Sequence, residues 1–251
     1  MRILTPASHD DWNSNGRLVL CNVLKPALVA EIDTAAREIE DWAECGGPGL
    51  HHFELTDNGR RIARSEDFEP YHPVMSDLLG HGIIPQILSE LFGEPATLFK
   101  EKINYKHPGG GGFAPHQDAT AYRFVDHHIS IMMPLDRATQ ASGCLWFCGR
   151  QPTILPHEGG RIDPSWVDAH VWEPIEVGPG DLVFFDSYAP HHSDTNRTDC
   201  SRRAVYLTYN RSSDGDFRGT YYEDKRQVLA EASSTERVRI SVNDDFLGRP
   251  A

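Results

Sequence analysis

The sequence predicts a mostly β protein, a jelly-roll barrel of the cupin-like, double-stranded β-helix kind with helices on its flank. Three observations carry this. Short runs rich in β-branched and aromatic residues recur from position 97 to 209. Gly and Pro clusters punctuate them at Pro108–Gly112, Pro152–Pro156 and Gly178–Gly180. Helical periodicity is concentrated before position 95. Many short strands separated by turn signals favour a closed barrel or sandwich over a parallel sheet.

In chain order, residues 26–44 read as an amphipathic helix. Leu28, Ile32, Ala35, Ile39 and Trp42 recur at three- and four-residue steps, and Pro26 suits a first turn. Residues 73–92 read as one or two further helices, interrupted by Gly82 and Pro85 and closed by Gly93. Strands are expected at 97–106, 128–134, 143–148, 171–177, 181–186 and 203–209. The 251 residues are read as a single domain: 1–95 a mainly helical flank, 96–212 the barrel core, 213–251 a C-terminal segment.

Composition narrows the function. Asp plus Glu number 37 against 24 Lys plus Arg, a net charge of −13. No basic run of five residues offsets it, so nucleic acid and anionic membranes are excluded as partners. No stretch approaches the ~18 apolar residues of a membrane span. The N-terminus lacks the apolar core of a signal peptide. The five cysteines have no zinc spacing and read as reduced thiols of a cytoplasmic protein. A small molecule is the expected partner, and no feature of the sequence fixes an oligomeric state.

The chemistry concentrates around His116-Gln117-Asp118. Residues two apart on a strand share a face, so His116 and Asp118 can converge on one ion while Gln117 turns away. His191, at the end of the strand that begins at Asp181, is a third candidate ligand. Two histidines and a carboxylate leave coordination positions open, as a non-haem Fe(II) oxygenase requires. An H-x-D triplet alone arises readily by chance among 13 histidines. The pairs His51-His52 and His127-His128 read as surface or core-edge residues. Arg202 lies 11 residues beyond His191, and a hairpin return of that length brings its guanidinium back beside the metal. There it can clamp a carboxylate bidentately. Alternation lets only one of Arg202 and Arg203 point inward. It also puts Lys100, Lys102 and Asn104 on one face; solvated edge lysines are the alternative.

Together the segments FKEKINYKHPGGGGFAPHQD, SGCLWFCGR and GDLVFFDSYAPHHSDTNRTDCSRRAVYLTYN resemble the phytanoyl-CoA dioxygenase family of Fe(II)/2-oxoglutarate-dependent oxygenases over roughly 95–212. The run from Phe99 to Ser130 is most similar to the 2-aminoethylphosphonate hydroxylases of that family. The resemblance implies Fe(II), 2-oxoglutarate and O2 as cofactor and cosubstrates. It puts the iron on His116, Asp118 and His191. It puts the distal 2-oxoglutarate carboxylate on Arg202 and Ser193, with Asn104 and Lys102 toward its other end. Where relatives read H-G-S, this chain reads His191-His192-Ser193. His191 is the ligand that keeps Ser193 and Asn196 in the family's positions.

The implied activity is oxidation, most simply hydroxylation, of a small polar substrate, with succinate and CO2 as co-products. Lys100, Tyr105, Tyr122, Asp126 and Trp146 are the substrate-pocket candidates, cationic residues for an anion and aromatic or acidic ones for an ammonium group. A zwitterion such as 2-aminoethylphosphonate fits that set. An amino acid or a natural-product intermediate, hydroxylated or cyclised, is the alternative within the class. A non-catalytic jelly-roll metal-binding protein and a zinc hydrolase are the alternatives outside it. A hydrolase has no use for an Arg202–Ser193 anchor.

Overall fold

The computed structural model describes residues 3–122, 124–231 and 239–251. Among these residues six helices run α1 Pro6–Asn15, α2 Pro26–Cys45, α3 Pro73–His81, α4 Ile83–Phe92, α5 Pro164–Asp168 and α6 Arg218–Glu231. Thirteen strands run β1 Arg17–Leu20, β2 Leu50–Thr56, β3 Gly59–Glu66, β4 Ala96–Lys106, β5 Phe113–His116, β6 Ile129–Pro134, β7 Leu145–Phe147, β8 His157–Glu158, β9 Arg161–Ile162, β10 Glu173–Ile175, β11 Leu182–Asp186, β12 His191–Ser193 and β13 Arg202–Arg211.

They form two antiparallel sheets. The larger has the order β1-β11-β6-β13-β4-β3-β2, the smaller β10-β7-β12-β5-β9-β8. No helix among the described residues is long and apolar enough to cross a membrane.

The larger sheet is covered on both faces, which explains why β6 and β11 are buried at every position and mostly apolar. Val205, Leu207 and Tyr209 of β13, with Ile129, Ile131 and Met133 of β6, pack against α2, α3 and α4. The intervening Ala204, Met132, Val183 and Phe185 pack toward Leu145 and Phe147 of the smaller sheet. Arg202 and Arg203 obey the same alternation. Arg203 turns to the helical side and pairs with Asp136 at 2.9 Å and Asp33 at 2.7 Å. Arg202 turns inward between the sheets, 2% exposed.

The expected helices 26–44 and 73–92 match α2 and the α3–α4 pair, which break at Gly82. Pro85 falls in the first turn of α4, where its missing N–H costs nothing. The flank before position 95 also contains β1 and the β2–β3 hairpin, which extends the larger sheet beyond β4. Its sequence, LHHFELT-DN-GRRIARSE, is too polar to stand out as a strand pair.

Two expectations about the site's scaffold are corrected. His191 does not end the strand from Asp181: β11 stops at Asp186 and the chain crosses to the smaller sheet before β12. The return to Arg202 is likewise a crossover between sheets, because β12 and β13 lie in different ones. Asn196 stabilises that crossover. Its side-chain amide donates to the carbonyls of Lys106 and Cys200, and its Oδ1 accepts from the Thr198 N–H.

Candidate metal centre and cosubstrate pocket

His116 ends β5 and His191 opens β12, and the two are Cα partners across that antiparallel pair. Their ring centroids are 4.2 Å apart. Asp118 follows one extended residue after β5 and begins a short 3-10 turn. Gln117 turns away, donating to the carbonyls of Thr153 and Tyr188 and accepting from the Leu155 N–H. It thereby fastens the loop behind the site.

One ligand atom from each of His116, Asp118 and His191 lies within 4.8 Å of the others. Asp118 Oδ1 stands 3.7 Å from His116 Nε2 and 3.9 Å from His191 Nε2. The surroundings orient each group. His116 Nδ1–H donates to the Ala114 carbonyl at 2.7 Å, and His191 Nδ1–H to that of Ala189 at 3.0 Å. Only a protonated Nδ1 can donate there, so both Nε2 lone pairs are left for an ion. Ser130 Oγ donates to Asp118 Oδ2 at 2.7 Å, leaving Oδ1 free.

Burial, reinforced by His116, pushes His191 down to about 4, so it is a neutral ligand near pH 7. Burial alone would raise Asp118, but His191 and His116, with His128 and Lys102, hold it well below the ordinary carboxylate range. The donors are two imidazoles and one carboxylate, the set suited to Fe(II) with open positions.

Beyond the triad lies a cationic recess. Lys106 Nζ, 5% exposed as a residue, donates to Ser193 Oγ at 3.0 Å and to the carbonyls of Gly143 and Asp194. Arg202 is its Cα partner on β13. One Arg202 nitrogen donates to the Gly143 carbonyl at 2.6 Å, while Nε and the other terminal nitrogen are buried without a protein partner. Orphaned guanidinium nitrogens are costly unless an anion meets them. Neither Arg202 nor Lys106 forms an ion pair with a carboxylate among the described residues. Arg202 with Ser193 therefore suits the distal carboxylate of a dicarboxylate such as 2-oxoglutarate, and Lys106, which burial and Arg202 push well below its ordinary value, stands beside them as a further donor.

The pocket over the triad is lined by Arg64, Lys100, Lys102, Asn104, Tyr122 and Asp245, among others. Alternation along β4 puts Lys100, Lys102 and Asn104 on this face. Lys100 Nζ sits 4.2 Å from the Tyr122 ring centroid. Arg64 of β3 donates through Nε to Asn104 Oδ1 at 3.0 Å and keeps one terminal nitrogen unpartnered. Burial, then Arg64, lowers Lys102 to about 8. A larger groove of about 870 Å3 between segment 156–168 and the C-terminal segment contains none of the triad, so the chemistry belongs to the smaller pocket.

Three of the expected substrate residues lie elsewhere. Tyr105 faces the helices and donates to Ser65 Oγ, because it alternates with Asn104. Asp126 is solvent-exposed. Trp146 stacks on His192 at 5.7 Å and 6° behind the pocket wall. His52 and His128 are buried rather than superficial, and His128 packs 5.0 Å from the Tyr122 ring.

Arg64, Lys106, Ser130 and Asp245 did not emerge from the sequence. Lys106 continues the Lys100–Lys102–Asn104 alternation, and Ser130 alternates with the apolar residues of β6. For Arg64 and Asp245 no sequence signal exists. The Pro108–Gly112 loop is packed instead of free: a Cβ on Gly112 would come 2.0 Å from the Ser193 carbonyl.

A family profile described as phytanoyl-CoA dioxygenase (PhyH) matches residues 12–204. A methylphosphonate hydroxylase of Gimesia maris is 42% identical over 99% of this chain and 97% of its own length. A 2-aminoethylphosphonate dioxygenase from an uncultured bacterium is 39% identical, covering 90% of this chain and 89% of its own. Among solved structures, EctD from S. alaskensis with 2-oxoglutarate and 5-hydroxyectoine superposes with a TM-score of 0.74 at 21% identity, over 84% of this chain and 77% of that one.

Proposed function

The chain belongs to the phytanoyl-CoA dioxygenase family, and from that premise we propose that this Fe(II)/2-oxoglutarate-dependent dioxygenase hydroxylates a small phosphonate, with 2-aminoethylphosphonate the leading candidate. The observation that carries the reading is the pairing of a two-histidine, one-carboxylate cluster with two separate cationic recesses. Arg202 and Lys106 form one, and Arg64, Lys100 and Lys102 form the other. One recess suits the cosubstrate, and the second suits a further anionic group. Relatives similar over nearly the whole chain act on phosphonates by name.

Bound at His116, Asp118 and His191, iron with 2-oxoglutarate and O2 supplies the oxidising power, giving succinate and CO2 as one oxygen atom enters the substrate. The chain's own residues do the rest. Ser130 and the Ala114 and Ala189 carbonyls hold the three ligands in their metal-binding orientations. Arg202, Ser193 and Lys106 fix the distal carboxylate of the cosubstrate. Asn104, oriented by Arg64, faces its other end. Arg64 and Lys100 meet the phosphonate and fix which carbon is presented, Lys102 is reassigned from the cosubstrate end, where the resemblance put it, to the same phosphonate, and the covering C-terminal segment excludes water.

The reading includes one domain over 1–251 and a cytoplasmic site of action, consistent with five free cysteines. It includes no nucleic-acid or membrane partner. Succinate release measured over alkylphosphonates, 2-aminoethylphosphonate and free amino acids tests it. Phosphonate-dependent succinate with a hydroxylated phosphonate product is expected. Turnover confined to amino acids would replace the substrate class while leaving the oxygenase chemistry.

A further inference from the structure

Residues 239–251 form a strap across the mouth of the pocket, beyond the 12–204 that the family profile matches. It is tied down along its length. Arg64 donates to the Ile240 carbonyl, and Asn243 Nδ2 donates to Thr120 Oγ1 at 3.0 Å. The Asp244 N–H donates to the Gly159 carbonyl at 2.9 Å. The Asp245 carbonyl accepts from the Ala114 N–H at 2.7 Å, and the Leu247 N–H donates to the Gly112 carbonyl at 2.9 Å. Phe246 bridges to Phe113 of β5.

This anchoring holds the Asp245 side chain inside the pocket, 3% exposed, with Oδ1 buried and unpartnered. Its Oδ2 lies 3.3 Å from His116 Nε2. Both atoms are acceptors when the imidazole is neutral, so the contact is no hydrogen bond. Asp245 falls outside the 4.8 Å cluster of His116, Asp118 and His191 and is not a fourth ligand of that set. Of the two carboxylates that line the pocket among the described residues, Asp118 belongs to the metal cluster and Asp245 does not. Arg64, Lys100 and Lys102 of the larger sheet line the same pocket. Among the described residues the pocket therefore has basic side chains on the larger sheet and one carboxylate outside the metal cluster, on the strap.

We propose that Asp245 is a specificity-determining residue that accepts the ammonium group of a zwitterionic substrate, selecting aminoalkylphosphonates over alkylphosphonates. This rests on the phosphonate reading above and deepens it. A buried carboxylate meeting an ammonium forms a charge-assisted hydrogen bond, and a substrate without the amine leaves the carboxylate unpaired, so selectivity comes from both sides.

The test is equilibrium binding, under anaerobic conditions, to protein loaded with Fe(II) and 2-oxoglutarate. The probes are 2-aminoethylphosphonate and ethylphosphonate, which differ by the amine. Wild type is expected to prefer the amine by about ten- to a hundredfold. Asp245→Asn is expected to erase that preference, with ethylphosphonate bound at least as well as by wild type. Retention of the preference in Asp245→Asn overturns the proposal, as does equal binding of the two probes by wild type; the phosphonate reading survives both results. If wild type binds neither probe, the phosphonate reading falls and the proposal with it. Should Asp245→Asn fail to fold or load iron, Asp245→Glu decides: it keeps the charge and is expected to keep a reduced preference, and loss of any preference there overturns the proposal.

Discussion

His116 and His191 face each other as Cα partners across two antiparallel strands, their rings 4.2 Å apart, so one backbone register brings both imidazoles to one point. Each Nδ1–H is tied to a carbonyl two residues earlier in its own chain segment. His192, the next residue, lies outside the three-ligand cluster, stacked on Trp146 and edge-on to Trp172. Two adjacent histidines therefore carry different expectations. His191→Ala, His116→Ala and Asp118→Ala should each reduce iron loading by more than the 10–100-fold typical of an outer partner's loss. His192→Ala should leave the iron content of the purified protein near wild type.

Arg202 and Lys106 make a separate prediction about the cosubstrate. Charge-assisted hydrogen bonds contribute roughly 1.5–3 kcal/mol each. Arg202→Ala should therefore weaken 2-oxoglutarate about 10–100-fold, read as KM for 2-oxoglutarate, with iron content unchanged. Arg202→Lys should recover only part of this, because an ammonium cannot replace a planar fork.

Gly143 cradles that recess. Its φ is +74°, and a Cβ there would lie 2.3 Å from the Asp194 carbonyl and 2.9 Å from Lys106 Nζ. Gly143→Ala should cost about 1–2 kcal/mol from backbone conformation alone. It should also raise KM for 2-oxoglutarate by displacing Lys106. Thermal unfolding and steady-state kinetics read the two effects separately.

Lys102 gives a pH dependence. Burial, then Arg64, lowers it to about 8. Its ammonium is cationic below that value and neutral above it, so the pocket loses a positive charge as pH rises through about 8. KM for the phosphonate should climb above pH 8, and Lys102→Arg should flatten the rise, since a guanidinium does not titrate there. A KM independent of pH from 7 to 9 would remove Lys102 from the phosphonate site.

The barrel and much of the site were legible because strand alternation is a local signal. The spacing of His116 and Asp118, the inward turn of Lys100, Lys102 and Asn104, and the division of Arg202 from Arg203 all follow from period two. Long-range placement was not legible. Nothing local says that Asp186 ends one sheet and His191 opens the other, so the path to Arg202 read as a hairpin when it is a crossover. Arg64 reaches the pocket only because a polar hairpin extends the larger sheet, and Asp245 only because a C-terminal strap folds back over β5. Tyr105 was misplaced by one residue of alternation, the penalty for reading an aromatic by its type instead of its parity. Asp126 lies just before β6, where alternation gives no direction.

The most direct measurement is the visible spectrum of the purified protein on anaerobic addition of Fe(II) and 2-oxoglutarate. A metal held by His116, Asp118 and His191, with room for a bidentate cosubstrate anchored at Arg202, predicts a metal-to-ligand charge-transfer band that needs both additions and is absent in Asp118→Ala. No band in wild type at saturating iron and 2-oxoglutarate, or an undiminished band without Asp118, would contradict the account.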